Sequence, residues 1–235
     1  MKSRIVSSTL LALFGFSLAI PAHADQFVIN TGVDNAPYEF LPTLVREGYT
    51  TLYVFDESNF HDFETYIQFD IPAGLLPENH QVVSATFSIC YCFDYTAFGD
   101  TSQVAATVNI WEISESWDPN LLTWSNRPAA TTQVAEVTGI LDIGPMLFDI
   151  TPLAQGWLDG TTPNYGFAMK SPTARVIGMH SFESTAAAPL KATLLIETAE
   201  IPAVPVLGPA LTGVLTLLLG GFGAYRLARQ GARSA

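Results

Sequence analysis

The chain contains few basic residues. Only ten of its 235 residues are Lys or Arg, against 22 Asp or Glu, and the formal net charge is −12. Between residues 25 and 200 there are five basic residues and all 22 acidic ones, which gives that segment a formal charge of −17. Such a surface repels nucleic acid and anionic lipid headgroups. The composition therefore excludes nucleic acid as a partner and is compatible with neutral glycans, cationic partners or bound calcium.

The sequence also lacks the short motifs that mark common enzyme classes. Neither Gly-x-Ser-x-Gly nor a Gly-rich phosphate loop is present. The three histidines after residue 24 (His61, His80 and His180) have neither triad nor zinc-site spacing. With so many acidic residues, a catalytic carboxylate pair cannot be singled out by counting. We therefore predict that the chain is not an enzyme, and a polysaccharide lyase or hydrolase is the remote alternative.

Cysteine is scarce as well, because Cys90 and Cys92 are the only two. Residues two apart on an extended strand share a face, with Cα atoms roughly 6.5–7 Å apart, which is at the edge of disulfide reach. A metal site at this position would lack further Cys ligands nearby. Two packed thiols and a locally distorted disulfide both stay open, and an exported setting favours the disulfide.

Charge is absent from two long stretches, one near each end of the chain. At the N-terminus, Lys2 and Arg4 precede an uncharged, mostly apolar run at residues 5–20 and the triplet Ala22-His23-Ala24. A basic start, an apolar middle and an Ala-x-Ala site are typical of a secretory signal peptide. We predict that residues 1–24 are a signal peptide and that the chain is exported.

The second uncharged stretch, residues 206–225, would span about 30 Å as a helix, which matches the hydrocarbon core of a bilayer. Arg226, Arg229 and Arg233 follow it, and basic residues after a span stay on the cytoplasmic side. The sequence predicts a C-terminal transmembrane helix at 206–225 and a cytoplasmic Arg-rich tail at 226–235. A buried core helix is the alternative, but such a helix is rarely apolar on all sides and then followed by three arginines.

The last 35 residues also have a recognisable order. Ile201-Pro202-Ala203-Val204-Pro205 precedes the Gly-rich apolar stretch and the arginines, although no Pro-Glu-Pro is present. This tail resembles the sorting tails of exosortase-type systems, the PEP-CTERM group. The resemblance implies a sorting protease as a partner and a final location at the cell envelope or outer surface.

Helix signals are nearly absent between residues 25 and 200. Short runs rich in β-branched and aromatic residues alternate with Gly, Pro, Asn and Asp, a pattern typical of strands joined by turns. We predict strands at residues 50–55, 65–71, 82–95, 104–114, 133–137, 146–150, 166–170, 176–182 and 191–198. One short helix is expected after Thr151, which could cap it, with Pro152 at its first position. This pattern indicates an all-β, jelly-roll β-sandwich ectodomain at residues 25–198 and a stalk at 199–205.

Several short motifs occur in a familiar order along this segment. They include Ser116-Trp117-Asp118-Pro119-Asn120, Phe148-Asp149-Ile150-Thr151-Pro152 and Asn164-Tyr165-Gly166-Phe167-Ala168. Together with residues 66–72 and 107–128, they resemble the DNRLRE-type domain, a β-sandwich module related to carbohydrate-binding modules. The resemblance covers about residues 25–198. It implies a non-catalytic binding module that contacts extracellular polysaccharide or matrix, and some members bind acidic polysaccharides such as alginate. The alternative is a structural matrix or surface-layer protein that interacts with itself or other surface proteins.

Candidate ligand-binding residues follow from the chemistry of sugars. Flat aromatic rings pack against the apolar faces of sugar rings, and a basic patch would be needed to hold an acidic polysaccharide. Trp117, Trp124 and Trp157 lie in the recurring motifs, where core packing is the simpler interpretation. The candidates are Tyr95, Trp111, Arg127, Tyr165, Lys170 and Arg175.

A dense acidic segment lies at residues 56–64. Calcium prefers several oxygen ligands from a flexible loop, so Asp56, Asp62 and Glu64 form a candidate calcium site, although EF-hand spacing is absent. A solvated acidic loop between strands is the alternative. No other cofactor is indicated.

Overall fold

The computed structural model describes residues 24–56, 62–94 and 105–201. The predicted transmembrane helix at 206–225, the cytoplasmic tail at 226–235 and nearly all of the predicted signal peptide lie outside these residues, as does the candidate Tyr95. Within the described segments, no helix is long and apolar enough to cross a membrane.

The first sheet has four antiparallel strands in the order β1-β12-β5-β9. The strands are β1 (Ala24–Ile29), β5 (His80–Tyr91), β9 (Gly144–Asp149) and β12 (Thr193–Glu200). Successive side chains of a strand point to opposite faces, and β12 shows this clearly, because Leu194 and Ile196 are buried while Leu195 is only partly covered. One face of this sheet therefore belongs to the core.

The second sheet has five antiparallel strands in the order β2-β4-β10-β7-β8. Its strands are β2 (Gly32–Asn35), β4 (Thr65–Phe69), β7 (Ala106–Ile113), β8 (Ala130–Ile140) and β10 (Phe167–Lys170). The same alternation sends Ala106, Val108 and Ile110 of β7 into the core, which leaves the residues between them on the opposite face.

A third sheet is smaller. Its three strands, in the order β3-β11-β6, are β3 (Thr51–Val54), β11 (Ile177–His180) and β6 (Phe93–Asp94). Leu52, Val54, Ile177 and Met179 extend the same core.

Aromatic side chains join the two larger sheets. Phe87 of β5 lies with its ring centroid 4.8 Å from that of Phe167 on β10 and 6.0 Å from that of Phe69 on β4. Phe148 of β9 stacks on Phe87 from within its own sheet, at 5.5 Å. All four rings are almost fully buried, and burial of each side chain contributes about 1.5–3 kcal/mol. The mostly β architecture packed around this core is consistent with a β-sandwich, as the sequence predicts. The jelly-roll connectivity stays a prediction.

The single described α-helix, α1 (Thr151–Asp159), occurs where the sequence predicts one. Gly160 follows it with φ of 75°, the left-handed conformation that commonly ends helices. The predicted capping role of Thr151 is wrong. Its hydroxyl accepts a hydrogen bond from the Ala85 backbone N–H and donates one to Asp149, so it ties the helix to β5 and not to its own first turn.

Two strands were missed by the sequence pattern. β1 and β2 are rich in polar residues such as Asp25, Gln26 and Asn35, and short polar segments lack the alternation that marks a half-buried strand. They form because β12 and β4 supply edges with which they pair. At the other end, β12 continues to Glu200, which places the first two residues of the predicted stalk in the sheet.

Cys90 and Cys92 form a disulfide, with Cα atoms 5.3 Å apart. This is closer than an extended strand allows, and the chain leaves the regular strand here, because β5 ends at Tyr91 and Cys92 lies between β5 and β6. The Cys92 N–H donates to the carbonyl of Gly178 on β11. The bridge therefore marks the point where the chain passes from the four-stranded to the three-stranded sheet.

Candidate functional site

A cleft opens on the outer face of the five-stranded sheet. Its volume is about 190 Å³. We call it the Trp111 cleft; its walls are Phe55, Asp56, Asp62, Phe63, Glu64, Asn109, Trp111, Lys170, Ser171 and Pro172.

Strand pairing explains why three of these side chains meet. Asn109 and Trp111 are two residues apart on β7 and point away from the core, as Lys170 does on β10. In the β10–β7 register, Lys170 lies opposite Asn109 and Ala168 lies opposite Trp111. Ala168 is fully buried, and Trp111 packs against the apolar cluster to which it belongs. The β7–β8 register also shifts between Ile110 and Trp111, and such irregularities redirect side chains near functional sites.

Glu64 organises the polar side of the cleft. Its carboxylate is 2.9 Å from Lys170 Nζ and 3.1 Å from Arg127 Nε, and its side chain is 11% exposed. The Tyr66 hydroxyl donates to the same carboxylate at 2.8 Å. Burial, reinforced by the negative charge of Glu64, raises the pKa of Tyr66, which keeps the phenol a neutral donor. One carboxylate thus fixes two cations and a phenol.

Arg127 and Lys170 therefore do not form the free basic patch that the sequence suggested. Arg127 also stacks on Trp124, with Cζ 3.7 Å from the ring centroid, and its Nη1 donates to the Trp124 carbonyl at 2.6 Å. Lys170 Nζ lies 6.0 Å from the Trp111 ring centroid, near the outer limit of a cation–π contact. Both cations have their charge partner within the protein.

Tyr165 lies in a second, smaller apolar cluster on the same outer face. We call it the outer cluster; its buried members are Tyr66, Ile113, Leu122 and Ala168, with Trp111, Trp117, Ala130 and Tyr165 packed against them. The Trp117 indole N–H donates to the Tyr165 carbonyl at 2.8 Å. This cluster holds the segment between β7 and β8 against the sheet, and Tyr165 does not line the Trp111 cleft.

Arg175 is not part of the cleft either, which corrects its assignment as a ligand-binding residue. It is 3% exposed. Its Nη2 donates to the Leu141 carbonyl at 2.6 Å and its Nε to the Tyr91 hydroxyl at 3.2 Å. The guanidinium is therefore held between the end of β5 and the segment before β9, with almost no surface for a ligand.

The three residues predicted to hold calcium do meet at the cleft, but they do not form a metal site. Asp56, Asp62 and Glu64 all line it, and the carboxylate of Glu64 is committed to two cations and a phenol. Across the described residues, no group of three or more His, Cys, Asp or Glu side chains is arranged to hold a metal ion. Asp56, Asp62 and Glu64 share the walls of the cleft with Lys170.

Two polar atoms of the cleft residues have no hydrogen-bond partner. They are the Asn109 Oδ1 and the Trp111 Nε1. Asn109 is 9% exposed, and leaving such a buried group unpaired costs about 1–3 kcal/mol. Asn109 is not among the predicted site residues, because a single polar residue between Val108 and Ile110 becomes informative only when the strand register places it opposite Lys170.

Comparison with known proteins identifies the family of the chain. No curated protein matches the chain. The sequence model of carbohydrate-binding module family 96 matches residues 20–198. This range covers the described strands up to the last residues of β12 and includes every residue that lines the Trp111 cleft. The chain therefore belongs to carbohydrate-binding module family 96.

Proposed function

We propose that this chain is an exported, non-catalytic module that binds extracellular polysaccharide through the Trp111 cleft. The observation that carries the proposal is the pair of unpartnered polar atoms, Asn109 Oδ1 and Trp111 Nε1, at a cleft in a carbohydrate-binding family. One is an acceptor and the other a donor. A sugar hydroxyl can serve both, because it donates one hydrogen bond and accepts others.

The polar walls also favour binding over catalysis. A general acid or base in a glycosidase needs a carboxyl group that can exchange a proton with the substrate. Glu64, the most enclosed carboxylate of the cleft, is instead fixed by Lys170, Arg127 and Tyr66. Such a group is suited to holding the shape of a site.

Binding to a polysaccharide panel tests the proposal. Affinity electrophoresis of the purified chain should show retardation by at least one polysaccharide, and Trp111→Ala should remove it, because the largest ring of the cleft is lost. Leu147→Ala is the matched control, since Leu147 is a large, 58% exposed side chain on the other sheet. Retardation that survives Trp111→Ala, or none with any polysaccharide, contradicts the proposal.

A second candidate function is self-association within a matrix. The outer face of the four-stranded sheet exposes Val28 (62%) and Leu147 (58%), which line an apolar groove of about 500 Å³. Concentration-dependent sedimentation that Leu147→Glu abolishes would support this function. A chain that stays monomeric at high concentration would contradict it.

Export and anchoring belong to the same proposal. The signal peptide at residues 1–24, the transmembrane helix at 206–225 and the sorting tail at 201–235 are supported by the sequence pattern alone. Deleting residues 206–235 should release a folded, secreted domain, because β12, the last strand among the described residues, ends at Glu200. A truncated chain that still fractionates with membranes would contradict the anchor.

A further inference from the structure

We infer that the glycan-binding site extends from the Trp111 cleft onto the neighbouring loop at residues 38–49, so that the ligand is a polysaccharide chain held along several of its sugars. We call this loop the aromatic loop. The inference rests on the proposed function and deepens it, because it states the length of ligand that the site accepts. Two observations carry it: exposed aromatic rings that continue the wall of the cleft, and an arginine of the same loop that has no acidic partner.

The aromatic loop begins at the wall of the cleft. Phe63, which lines the cleft, stacks on Tyr38 with ring centroids 4.1 Å apart, and the Tyr38 ring centroid lies 5.9 Å from that of Phe40. The Glu39 N–H donates to the carbonyl of Asp62, another residue that lines the cleft, at 3.0 Å. The cleft and the aromatic loop therefore form one continuous surface.

The aromatic loop exposes two of its rings. Phe40 is 60% exposed and Tyr49 is 46% exposed, and these are the two most exposed aromatic side chains among the described residues. Leu41, beside Phe40 in the chain, is 44% exposed. Exposed apolar side chains that are grouped on a surface mark interaction sites, and flat rings pack against the apolar faces of sugars. The two rings therefore extend the chemistry that Trp111 supplies in the cleft.

Backbone contacts hold the aromatic loop in place. The Ser125 N–H, in the segment between β7 and β8, donates to the Pro42 carbonyl at 3.0 Å. Gly48 has φ of 76°, a left-handed conformation that glycine adopts readily, and the Tyr49 N–H donates to the Arg46 carbonyl across this turn at 3.4 Å. The exposed rings are therefore positioned before a ligand arrives, which lowers the entropic cost of binding.

Arg46 provides the second observation. Its Cζ lies 4.2 Å from the Tyr49 ring centroid and 5.1 Å from that of Phe63, so the guanidinium connects an exposed ring with the wall of the cleft. Among the described residues, its side chain forms no ion pair with a carboxylate, and its Nε has no hydrogen-bond partner. A guanidinium carries five N–H donors. Donors that the protein leaves unused are available to the oxygens of a sugar that lies on Tyr49.

The dependence of affinity on ligand length tests the inference. Calorimetry with the full chain compares ladders of cello-oligosaccharides, chito-oligosaccharides and mannuronate oligosaccharides, each from the disaccharide to the octasaccharide. In a ladder that binds, we expect affinity to rise about tenfold between the shortest member that binds and the octasaccharide, because the longer chain contacts the cleft and the aromatic loop together.

Variants of the aromatic loop should affect long ligands selectively. Tyr49→Ala and Phe40→Ala should each weaken binding of the octasaccharide about fivefold, as expected when a ring that contacts the ligand is truncated. Binding of the shortest member should change less than twofold, because that ligand is held in the cleft alone. Trp111→Ala should abolish both. Leu147→Ala, a 58% exposed side chain on the other sheet, is the matched control and should change neither. Circular dichroism verifies that all four variants fold.

The outcomes distinguish the inference from the function on which it rests. An affinity that does not change with ligand length would overturn the inference, as would loop variants that have no effect or that weaken short and long ligands equally. Loop variants that change the sedimentation of the chain and not its affinity for glycan would assign the rings to a protein contact, which also overturns it. In these cases Trp111-dependent binding leaves the proposed function standing. Absence of Trp111-dependent binding to every ladder and to a broad polysaccharide panel would overturn both.

Discussion

The two large sheets pack on one core but present different outer faces. On the five-stranded sheet, Asn109, Trp111 and Lys170 lie beside the outer cluster, and Glu64 ties the surrounding segments together through Arg127. On the four-stranded sheet, Val28 and Leu147 are largely exposed. A cleft with polar walls therefore lies on one outer face and a larger apolar groove on the other. The difference comes from the segments that fold over the sheet.

Those covering segments are held by the apolar outer cluster and also by polar side chains. The Asn35 amide donates to the Pro119 carbonyl at 2.9 Å, and the Asp118 carboxylate accepts from the N–H of Asn120 at 2.8 Å. The four-stranded sheet has its polar pairs within the sheet itself, such as the hydrogen bond of 2.9 Å from Ser84 to Glu197. The five-stranded sheet therefore has a polar contact to a covering loop, whereas this pair of the four-stranded sheet joins two of its own strands.

The first prediction concerns the hydrophobic core that the two large sheets share. Phe87→Ala should lower the free energy of unfolding by about 3–5 kcal/mol, because the ring is fully buried and contacts Phe69, Phe148 and Phe167. Denaturant titration followed by tryptophan fluorescence measures the loss. Leu147→Ala, on the outer face of the four-stranded sheet, is the control and should change the unfolding free energy by less than about 0.5 kcal/mol. Similar losses in both variants would contradict the assignment of the core.

The second prediction concerns the edge of the five-stranded sheet. Burial, with the nearby charge of Glu183, raises the pKa of Asp34 on β2 to about 8. The folded state therefore binds a proton that the unfolded state, with a pKa near 3.8, releases. Stability from this group should fall as the pH rises from about 4 to 8 and level off above it.

Asp34→Asn tests this directly. The side-chain oxygen of Asn can still accept from the Phe182 N–H, which lies 2.7 Å from Asp34 Oδ2. The variant should be more stable than the parent by on the order of 2 kcal/mol at pH 8 and equal to it near pH 4. Thermal unfolding across this pH range is the measurement. Glycan binding should be unchanged because Asp34 does not line the cleft; a variant that is less stable at pH 8 would count against the raised pKa.

The third prediction breaks the ion pairs of the cleft. Glu64→Gln leaves Lys170 and Arg127 without their shared anion, and both are partly exposed, at 30%. We expect a loss of stability of about 1–3 kcal/mol, below the value for fully buried pairs because solvent screens the cations. Denaturant titration measures the loss, and Glu78→Gln, on an exposed turn, should change the unfolding free energy by less than about 0.5 kcal/mol. Equal losses in the two variants would argue against a structural role for Glu64.

Sequence reasoning located the strands better than it located the site. The alternation of Leu194 and Ile196 predicts a strand from nearby residues alone, and the turn residues around α1 predict its bounds in the same way. β1 and β2 lack such a pattern and form by pairing with β12 and β4. Trp111 and Lys170 were chosen for their chemistry and do line the cleft. The roles of Glu64 and Asn109 depend on which residues face each other across strands and loops, and this register is a long-range property that residue types do not encode locally.

The last prediction has the smallest expected effect on affinity and concerns the indole N–H of Trp111. Trp111→Phe keeps an aromatic ring for the sugar but removes the unpartnered indole N–H. If a sugar oxygen accepts from Nε1, affinity for the bound glycan should fall about three- to tenfold, which corresponds to about 1 kcal/mol for one hydrogen bond. The free energy of unfolding should change by less than about 1 kcal/mol, because the lost group had no partner in the protein. Trp117→Phe is the matched control: its indole N–H donates to Tyr165, so the same substitution should lower stability and leave affinity unchanged. An affinity that Trp111→Phe does not alter would show that the sugar contacts the ring alone.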